Sequence, residues 1–172
     1  MLKHVKVGGW LVAATSLLVG CSEPNRPAGQ KKAAASPDAS YLLADRPNDA
    51  LGVEQARKDS ENDKEVAVEG RIGGSEKPFV DGIAAFTIVD TKLQWCGKEE
   101  GCPTPWDYCC EDKAGKLAMV KIIGPDGQPV AKDARELLGV KELSKVVVCG
   151  KAKRDDQGNL TVLAKQVHVA KE

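Results

Sequence analysis

The sequence predicts an all-β domain with a small helical content. Two observations support this fold class: five segments in which apolar and polar residues alternate, and glycine-containing turns that separate several of them. The predicted strands are 64–72, 82–90, 116–123, 145–153 and 160–170. In the second strand the alternation places Phe86 and Ile88 on one face. The fourth strand is apolar on both faces over residues 146–148, as is typical of a well-covered strand.

The helical signals are fewer and shorter. Between the third and the fourth strand, Asp133 and Glu136 form a capping box, and Gly139 ends the pattern. A second helical turn is predicted before the first strand, within residues 47–58, although Gly52 weakens it. The predicted order is therefore three strands, a helix and two strands, which is the order of the OB-fold, a five-stranded and partly open barrel.

The strand sequences also resemble known OB-folds. Residues 64–170 resemble the OB-fold domains of secreted and envelope bacterial proteins, with Val66–Ile72 similar to their first strand and Val146–Ala152 to their fourth. Gly158–Lys165 is similar to the last strand of the haem chaperone of cytochrome c maturation. The resemblance implies the fold. It implies no covalent haem site, because residues 167–172 contain no tyrosine after the histidine.

The amino-terminal residues predict export and lipidation. Residues 1–20 combine a basic start with a short apolar stretch, as in a secretory signal peptide rather than a membrane span. The sequence Leu18-Val19-Gly20-Cys21 resembles the lipobox of bacterial lipoproteins. This resemblance implies a diacylglycerol on Cys21, removal of residues 1–20 and acylation, typically with palmitate, of the new amino terminus. Ser22 then favours the periplasmic side of the outer membrane over the inner membrane.

The remaining chain divides into three regions. Residues 21–40 are rich in proline, lysine and small residues and predict a lipidated flexible tether. Residues 41–63 form an amino-terminal extension, and residues 64–172 form the OB-like domain. The chain has 25 basic and 25 acidic residues, and removal of two lysines with the signal peptide leaves a net charge of −2. Such a chain has no general attraction for nucleic acid.

An insertion between the second and third predicted strands, residues 93–112, is the most distinctive part of the domain. It contains four of the six cysteines: Cys96, Cys102, Cys109 and Cys110. In an oxidising envelope these residues favour a disulfide-stapled loop of unknown connectivity, with Cys149 left as a free thiol. Four thiolates also suit zinc or copper(I), although Cys-x5-Cys-x6-Cys-Cys is not a zinc-knuckle spacing. A third interpretation is redox chemistry by one reactive thiol, which needs a nearby cation such as Lys113.

The same insertion contains most of the aromatic residues that are candidates for function. Trp106 and Tyr108 are two residues apart and share a face if the chain is extended. They are expected either to form a small satellite core or, together with Trp95, to offer a platform for a ligand. We find no catalytic constellation, since His168 is the single histidine after residue 20.

These observations predict a membrane-anchored envelope lipoprotein rather than an enzyme. Its domain is expected to act as a binding or structural module for a protein or a small molecule, with no cofactor. The alternative function is a thiolate metal-binding or carrier protein for zinc or copper. A thiol redox protein is the third candidate.

Overall fold

The structure, a computed structural model, describes residues 37–97 and 101–171. This part of the chain is mostly β, which confirms the predicted fold class, and its seven strands form one mixed sheet. The elements are β1 (Leu51–Gly52), α1 (Val53–Asp59), β2 (Glu65–Ile72), β3 (Phe79–Val80), β4 (Ala85–Val89), β5 (Leu117–Ile122), α2 (Ala134–Leu138), β6 (Lys145–Arg154) and β7 (Leu160–Val169). The predicted signal peptide, Cys21 and most of the predicted tether lie outside these residues. None of the helices within them is long and apolar enough to cross a membrane.

The number of strands differs from the prediction. All five predicted strands are present as β2, β4, β5, β6 and β7. The strands β1 and β3 are additional, so the prediction of five strands is wrong. Each of them has only two residues, which is too short for an alternating pattern to be visible in the sequence.

Each of the five long strands pairs with two of the other long strands, and β2 and β4 also pair with β1 and β3, respectively. The order across the sheet is β1-β2-β6-β7-β5-β4-β3, and β2 also pairs with β4. The pairs β1–β2 and β5–β7 are parallel and the rest are antiparallel. The β2–β4 contact is short, with Arg71 opposite Val89 and Ile72 opposite Ile88. It brings the end of β2 next to the point where the chain leaves β4 for the insertion at residues 93–112, which we call the cysteine-rich segment.

The main core contains the faces that the alternation predicts. Phe86 and Ile88 of β4 are fully buried, and Leu137 and Leu138 of α2 are buried against the same cluster. Helix α2 begins at the predicted cap, because the Asp133 side chain accepts a hydrogen bond from the Arg135 amide, and it ends at Gly139 in the left-handed conformation. A separate and smaller cluster contains Tyr108 of the insertion with Val89 and Leu93.

Helix α1 obtains its cap from a distant residue. Its N-cap is Gly52, which has no side chain to cap the helix. The buried carboxylate of Asp90, just after β4, instead accepts hydrogen bonds from the amides of Glu54 (2.9 Å) and Lys92 (3.0 Å). A Cβ at Gly52 would lie 2.9 Å from the Asp90 carboxylate, so the glycine makes room for this contact. The carboxylate therefore joins α1 to the start of the cysteine-rich segment.

Replacing Asp90 by alanine should destabilise the domain by about 1–2 kcal/mol, the usual cost of losing a helix cap. The matched control is Asp126→Ala, which removes an exposed carboxylate that accepts a hydrogen bond from the Gln128 amide. We expect a smaller loss for this variant, because water replaces the contact. Urea denaturation followed by circular dichroism measures both, and equal losses would contradict the capping role of Asp90.

Candidate metal centre

The structure brings the four cysteines of the insertion together between β4 and β5. The Sγ atoms of Cys96, Cys102 and Cys109 all lie within 4.8 Å of one another. The Sγ atom of Cys110 joins them, at 3.8 Å from the sulfur of Cys96 and 3.8 Å from that of Cys109. Cys96 and Cys109 are thirteen positions apart in the sequence, and their sulfurs are 3.7 Å apart.

These sulfur separations are characteristic of ligands rather than of disulfides. No disulfide joins the five cysteines of the described region, and the closest sulfurs are 3.7 Å apart, whereas a disulfide bond is about 2.05 Å long. Four sulfurs at about 2.3 Å from a zinc ion in tetrahedral geometry are about 3.8 Å from each other. Four of the six separations between these sulfurs, at 3.7–3.9 Å, match this value, and the sulfurs of Cys96 and Cys102 lie within 4.8 Å of each other. The cluster can therefore hold a metal ion.

Backbone contacts with the end of β2 hold the second half of the cysteine-rich segment in place. A 3-10 turn, Pro105–Asp107, precedes the two adjacent cysteines. The Trp106 carbonyl accepts a hydrogen bond from the Gly74 amide (2.8 Å), and the Trp106 indole donates to the Glu76 carbonyl (3.0 Å). Just before Gly74, Gly73 lacks a Cβ that would collide with the Trp106 carbonyl. Gly73 thus allows close approach of the two backbones, whereas the absence of a Cβ at Gly74 makes room for the side chains of Leu117 and Val89.

Lys113 also holds this segment in place. Its ammonium group donates to the Gly74 carbonyl (3.2 Å) and to the Asp107 carbonyl (2.8 Å), and forms an ion pair with the Asp107 carboxylate (3.2 Å). The sequence suggested Lys113 as a cation near the thiols. In the structure its contacts are with backbone and carboxylate oxygens, so it fixes the segment that presents Cys109 and Cys110.

Tyr108 anchors the segment in a second hydrophobic cluster. Its side chain is fully buried and packs with Val89, Leu93, Leu117 and Leu143. The predicted satellite core is therefore correct for Tyr108, and because the ring has no exposed surface it does not serve as a ligand platform. Tyr108 also has a left-handed backbone (φ 56°), which turns the chain immediately before Cys109.

The hydroxyl of Tyr108 is buried without a hydrogen-bond partner. Burial raises the pKa of Tyr108 to about 12, and the positive charge of Arg71 opposes this effect. The hydroxyl contributes no hydrogen bond, so Tyr108 stabilises the segment through its ring alone.

The two tryptophans of the insertion differ in exposure. Trp95 is 45% exposed, and one face of its ring rests on the guanidinium of Arg71, 4.4 Å from the ring centroid. Arg71 is itself held by a hydrogen bond to the Leu143 carbonyl (3.1 Å). Trp106 is partly buried and its indole is hydrogen-bonded. Of the three candidates for a ligand platform, Trp95 is therefore the one whose ring is both fixed and accessible.

The thiols of the cluster influence each other's ionisation. Burial opposes ionisation of Cys96, but hydrogen bonds from Cys109, Cys110 and Cys102 outweigh it and lower the pKa of Cys96. The same contacts, first that with Cys96, favour the protonated form of Cys109 and raise its pKa to about 12. Without a cation, ionisation is therefore easier at Cys96 than at Cys109, whereas a bound metal ion would favour the thiolate form of all its ligands.

Cys149, the predicted free thiol, lies outside the insertion on β6, opposite Ala67 of β2 and Gln166 of β7. Burial raises the pKa of its thiol, and the charges of Asp49 and Glu65 add to this effect. Cys149 is therefore a suitable control for experiments on the other four cysteines.

Tyr108 offers a test of how the segment is anchored. Removing the unpartnered hydroxyl with Tyr108→Phe should leave stability at neutral pH unchanged or slightly higher. Tyr108→Ala should cost about 3–5 kcal/mol, the usual loss for a buried aromatic ring. Because the hydroxyl resists ionisation only in the folded protein, wild-type stability should fall between about pH 10 and pH 12, and that of Tyr108→Phe should fall less. Urea denaturation at neutral and alkaline pH measures both effects; a large loss in Tyr108→Phe at neutral pH would mean that the hydroxyl has a partner.

Comparison with known proteins does not assign the site. No protein-family model matches this chain, and no curated protein is significantly similar to it. The function of the cysteine cluster therefore has to be inferred from its geometry and its chemistry.

Proposed function

We propose that this protein is a lipid-anchored envelope protein that carries a thiolate zinc centre formed by Cys96, Cys102, Cys109 and Cys110. The observation that supports the metal centre is the set of sulfur separations, 3.7–3.9 Å, in the cluster. They match four of the six edges expected of a zinc tetrathiolate, with zinc–sulfur distances of about 2.3 Å. A tetrahedral set of four sulfurs favours zinc, whereas copper(I), which is also bound by soft thiolates, is the competing ion.

The surroundings of the cluster suit a negatively charged centre. A zinc ion with four thiolates has a net charge of −2. Lys113 lies three residues after Cys110 and contacts Asp107, two residues before Cys109, while Arg71 lies under the ring of Trp95, next to Cys96. The ion pair with Asp107 offsets the charge of Lys113, so Arg71 is the group here that brings positive charge to the segment, and nearby positive charge favours the thiolate form.

The strand pairing supports an OB-type barrel as the scaffold of this centre. Among the five long strands, each has two neighbours, in the cyclic order β2-β6-β7-β5-β4 and back to β2. The pair β5–β7 is parallel and the other four pairs are antiparallel. An OB-fold has five strands in a partly open barrel, with α2 here between its third and fourth strands. In this proposal the cysteine-rich segment is an elaboration of the connection between the second and third barrel strands.

The anchoring part of the proposal rests on the sequence. The lipobox Leu18-Val19-Gly20-Cys21 follows a signal-peptide pattern, and the domain begins after a segment rich in proline and lysine. Lipidation of Cys21 would hold the domain at the membrane, with the periplasmic side of the outer membrane favoured by Ser22.

The ring of Trp95 favours a second function at the same place. It is 45% exposed and is fixed by Arg71, so it could bind a flat or apolar group of a small-molecule ligand or a protein partner. In this case the metal centre would act as a structural support for a binding module.

Metal analysis of the reduced protein tests the zinc centre. We expect one zinc ion per chain in the wild type and in Cys149→Ser, and loss of the ion in Cys96→Ser, because Cys96 is the buried ligand. Inductively coupled plasma mass spectrometry gives the stoichiometry. Substitution with Co²⁺ should give the absorption bands of a tetrahedral tetrathiolate site. If neither zinc nor copper binds after full reduction and reloading, the metal-centre proposal is wrong.

The lipid anchor has an independent test. Expression of the full chain in a bacterium with radiolabelled palmitate should label the wild type and not Cys21→Ser. Fractionation should then place the wild type in the membrane fraction and the variant outside it. Equal labelling of the two proteins would exclude Cys21 as the lipidated residue, without affecting the metal centre.

A further inference from the structure

Metal binding and disulfide formation would use the same four sulfurs of this site. We propose that the centre reacts with disulfide oxidants: thiol–disulfide exchange converts its four thiolates into the disulfides Cys96–Cys110 and Cys102–Cys109 and releases the zinc ion. Reduction of the two disulfides restores the metal-binding form. This inference rests on the proposed zinc centre.

The sulfur positions define the pairing. The Sγ atoms of Cys96 and Cys110 are 3.8 Å apart, and those of Cys102 and Cys109 are 3.9 Å apart. These two contacts use each of the four sulfurs once. To form bonds of about 2.05 Å, each sulfur has to move by less than about 1 Å, which side-chain rotation can provide.

The other close contacts are less suitable for bonding. The sulfurs of Cys109 and Cys110 are 3.8 Å apart, but a disulfide between adjacent residues closes a small ring that strains the planar trans peptide. The sulfur of Cys109 lies near those of both Cys96 and Cys102. The sulfur of Cys110 is 3.8 Å from that of Cys96, which is not adjacent to it in the sequence. A Cys96–Cys110 disulfide leaves Cys102 to pair with Cys109.

Exposure determines where the oxidant enters. Cys109 and Cys110 are exposed and Cys102 is partly exposed, whereas Cys96 is buried. The Cys109 thiolate attacks one sulfur of the incoming disulfide, and the other sulfur of the oxidant leaves as a thiolate. Cys102 then attacks the Cys109 sulfur of this mixed disulfide and displaces the second half of the oxidant. Two cysteines are thereby oxidised by two electrons, and the oxidant is reduced to two thiols.

A second equivalent of oxidant links Cys110 to Cys96 by the same steps. The zinc ion then has no thiolate ligand left and leaves as the aqueous ion. The total charge is conserved, because a centre of charge −2 gives two neutral disulfides, four oxidant thiolates and Zn²⁺.

Contacts that do not involve the sulfurs hold the cysteine-rich segment in place in both the zinc-bound and the oxidised form. Burial of Tyr108, the hydrogen bonds of Trp106 with Gly74 and Glu76, and the contacts of Lys113 involve none of the four sulfurs. Oxidation therefore changes the ligand set and leaves the sheet and the second hydrophobic cluster intact, so the change can be reversed.

The test uses the full chain, reduced and loaded with zinc, and oxidised glutathione as the probe. A chromophoric chelator reports released zinc, and far-UV circular dichroism reports the fold. The disulfides are then reduced one at a time, labelled with different alkylating reagents and located by fragmentation between Cys109 and Cys110. We expect stoichiometric loss of zinc, an unchanged dichroism spectrum and the pairs Cys96–Cys110 and Cys102–Cys109. The matched control, Cys149→Ser, should behave like the wild type.

Three results would overturn the inference: zinc that stays bound in excess oxidised glutathione, a Cys109–Cys110 or Cys96–Cys109 disulfide as the main product, or loss of the dichroism spectrum on oxidation. Failure of the zinc centre itself is recognised separately, because the reduced protein would then contain no metal before any oxidant is added.

Discussion

The cysteine-rich segment depends on the packing of Tyr108 beneath it. The ring is fully buried between residues of β4 and β5 and the loop before β6, and the Trp106 carbonyl two residues earlier is bonded to the Gly74 amide at the end of β2. Ordering a segment of this length has a large entropic cost, and burial of the Tyr108 ring is one of the contributions that offset it. Because Cys109 and Cys110 directly follow Tyr108, the position of this ring determines where two of the four sulfurs lie.

The strands and the helix α2 could be predicted because their signals are local. Alternation in 64–72 and 82–90 and the Asp133 capping box each lie within a few residues of the element that they specify. The strands β1 and β3 could not be predicted, since a strand of two residues is too short to show an alternation of apolar and polar side chains. The cap of α1 also could not be predicted. The Asp90 carboxylate accepts a hydrogen bond from the Glu54 amide, and the two residues are 36 positions apart in the sequence.

The sequence predicted which cysteines belong to the candidate site, but it did not distinguish between the possible kinds of chemistry. The sequence placed Cys96, Cys102, Cys109 and Cys110 in one insertion, and it left disulfides, metal binding and thiol chemistry as alternatives. The distinction depends on separations of one to two ångströms between sulfurs, which sequence spacing does not define. The stacking of Arg71 under Trp95 joins β2 to the insertion, and in the sequence Arg71 is indistinguishable from a solvent-facing strand residue.

The distribution of the tryptophans has a practical consequence for spectroscopy. The chain has three, Trp10 in the predicted signal peptide and Trp95 and Trp106 on either side of the first two cysteines of the cluster. After signal-peptide removal, all tryptophan emission would originate within a few residues of the sulfurs. Intrinsic fluorescence would then act as a local optical probe of the cysteine cluster, and circular dichroism would be needed to follow the sheet as a whole.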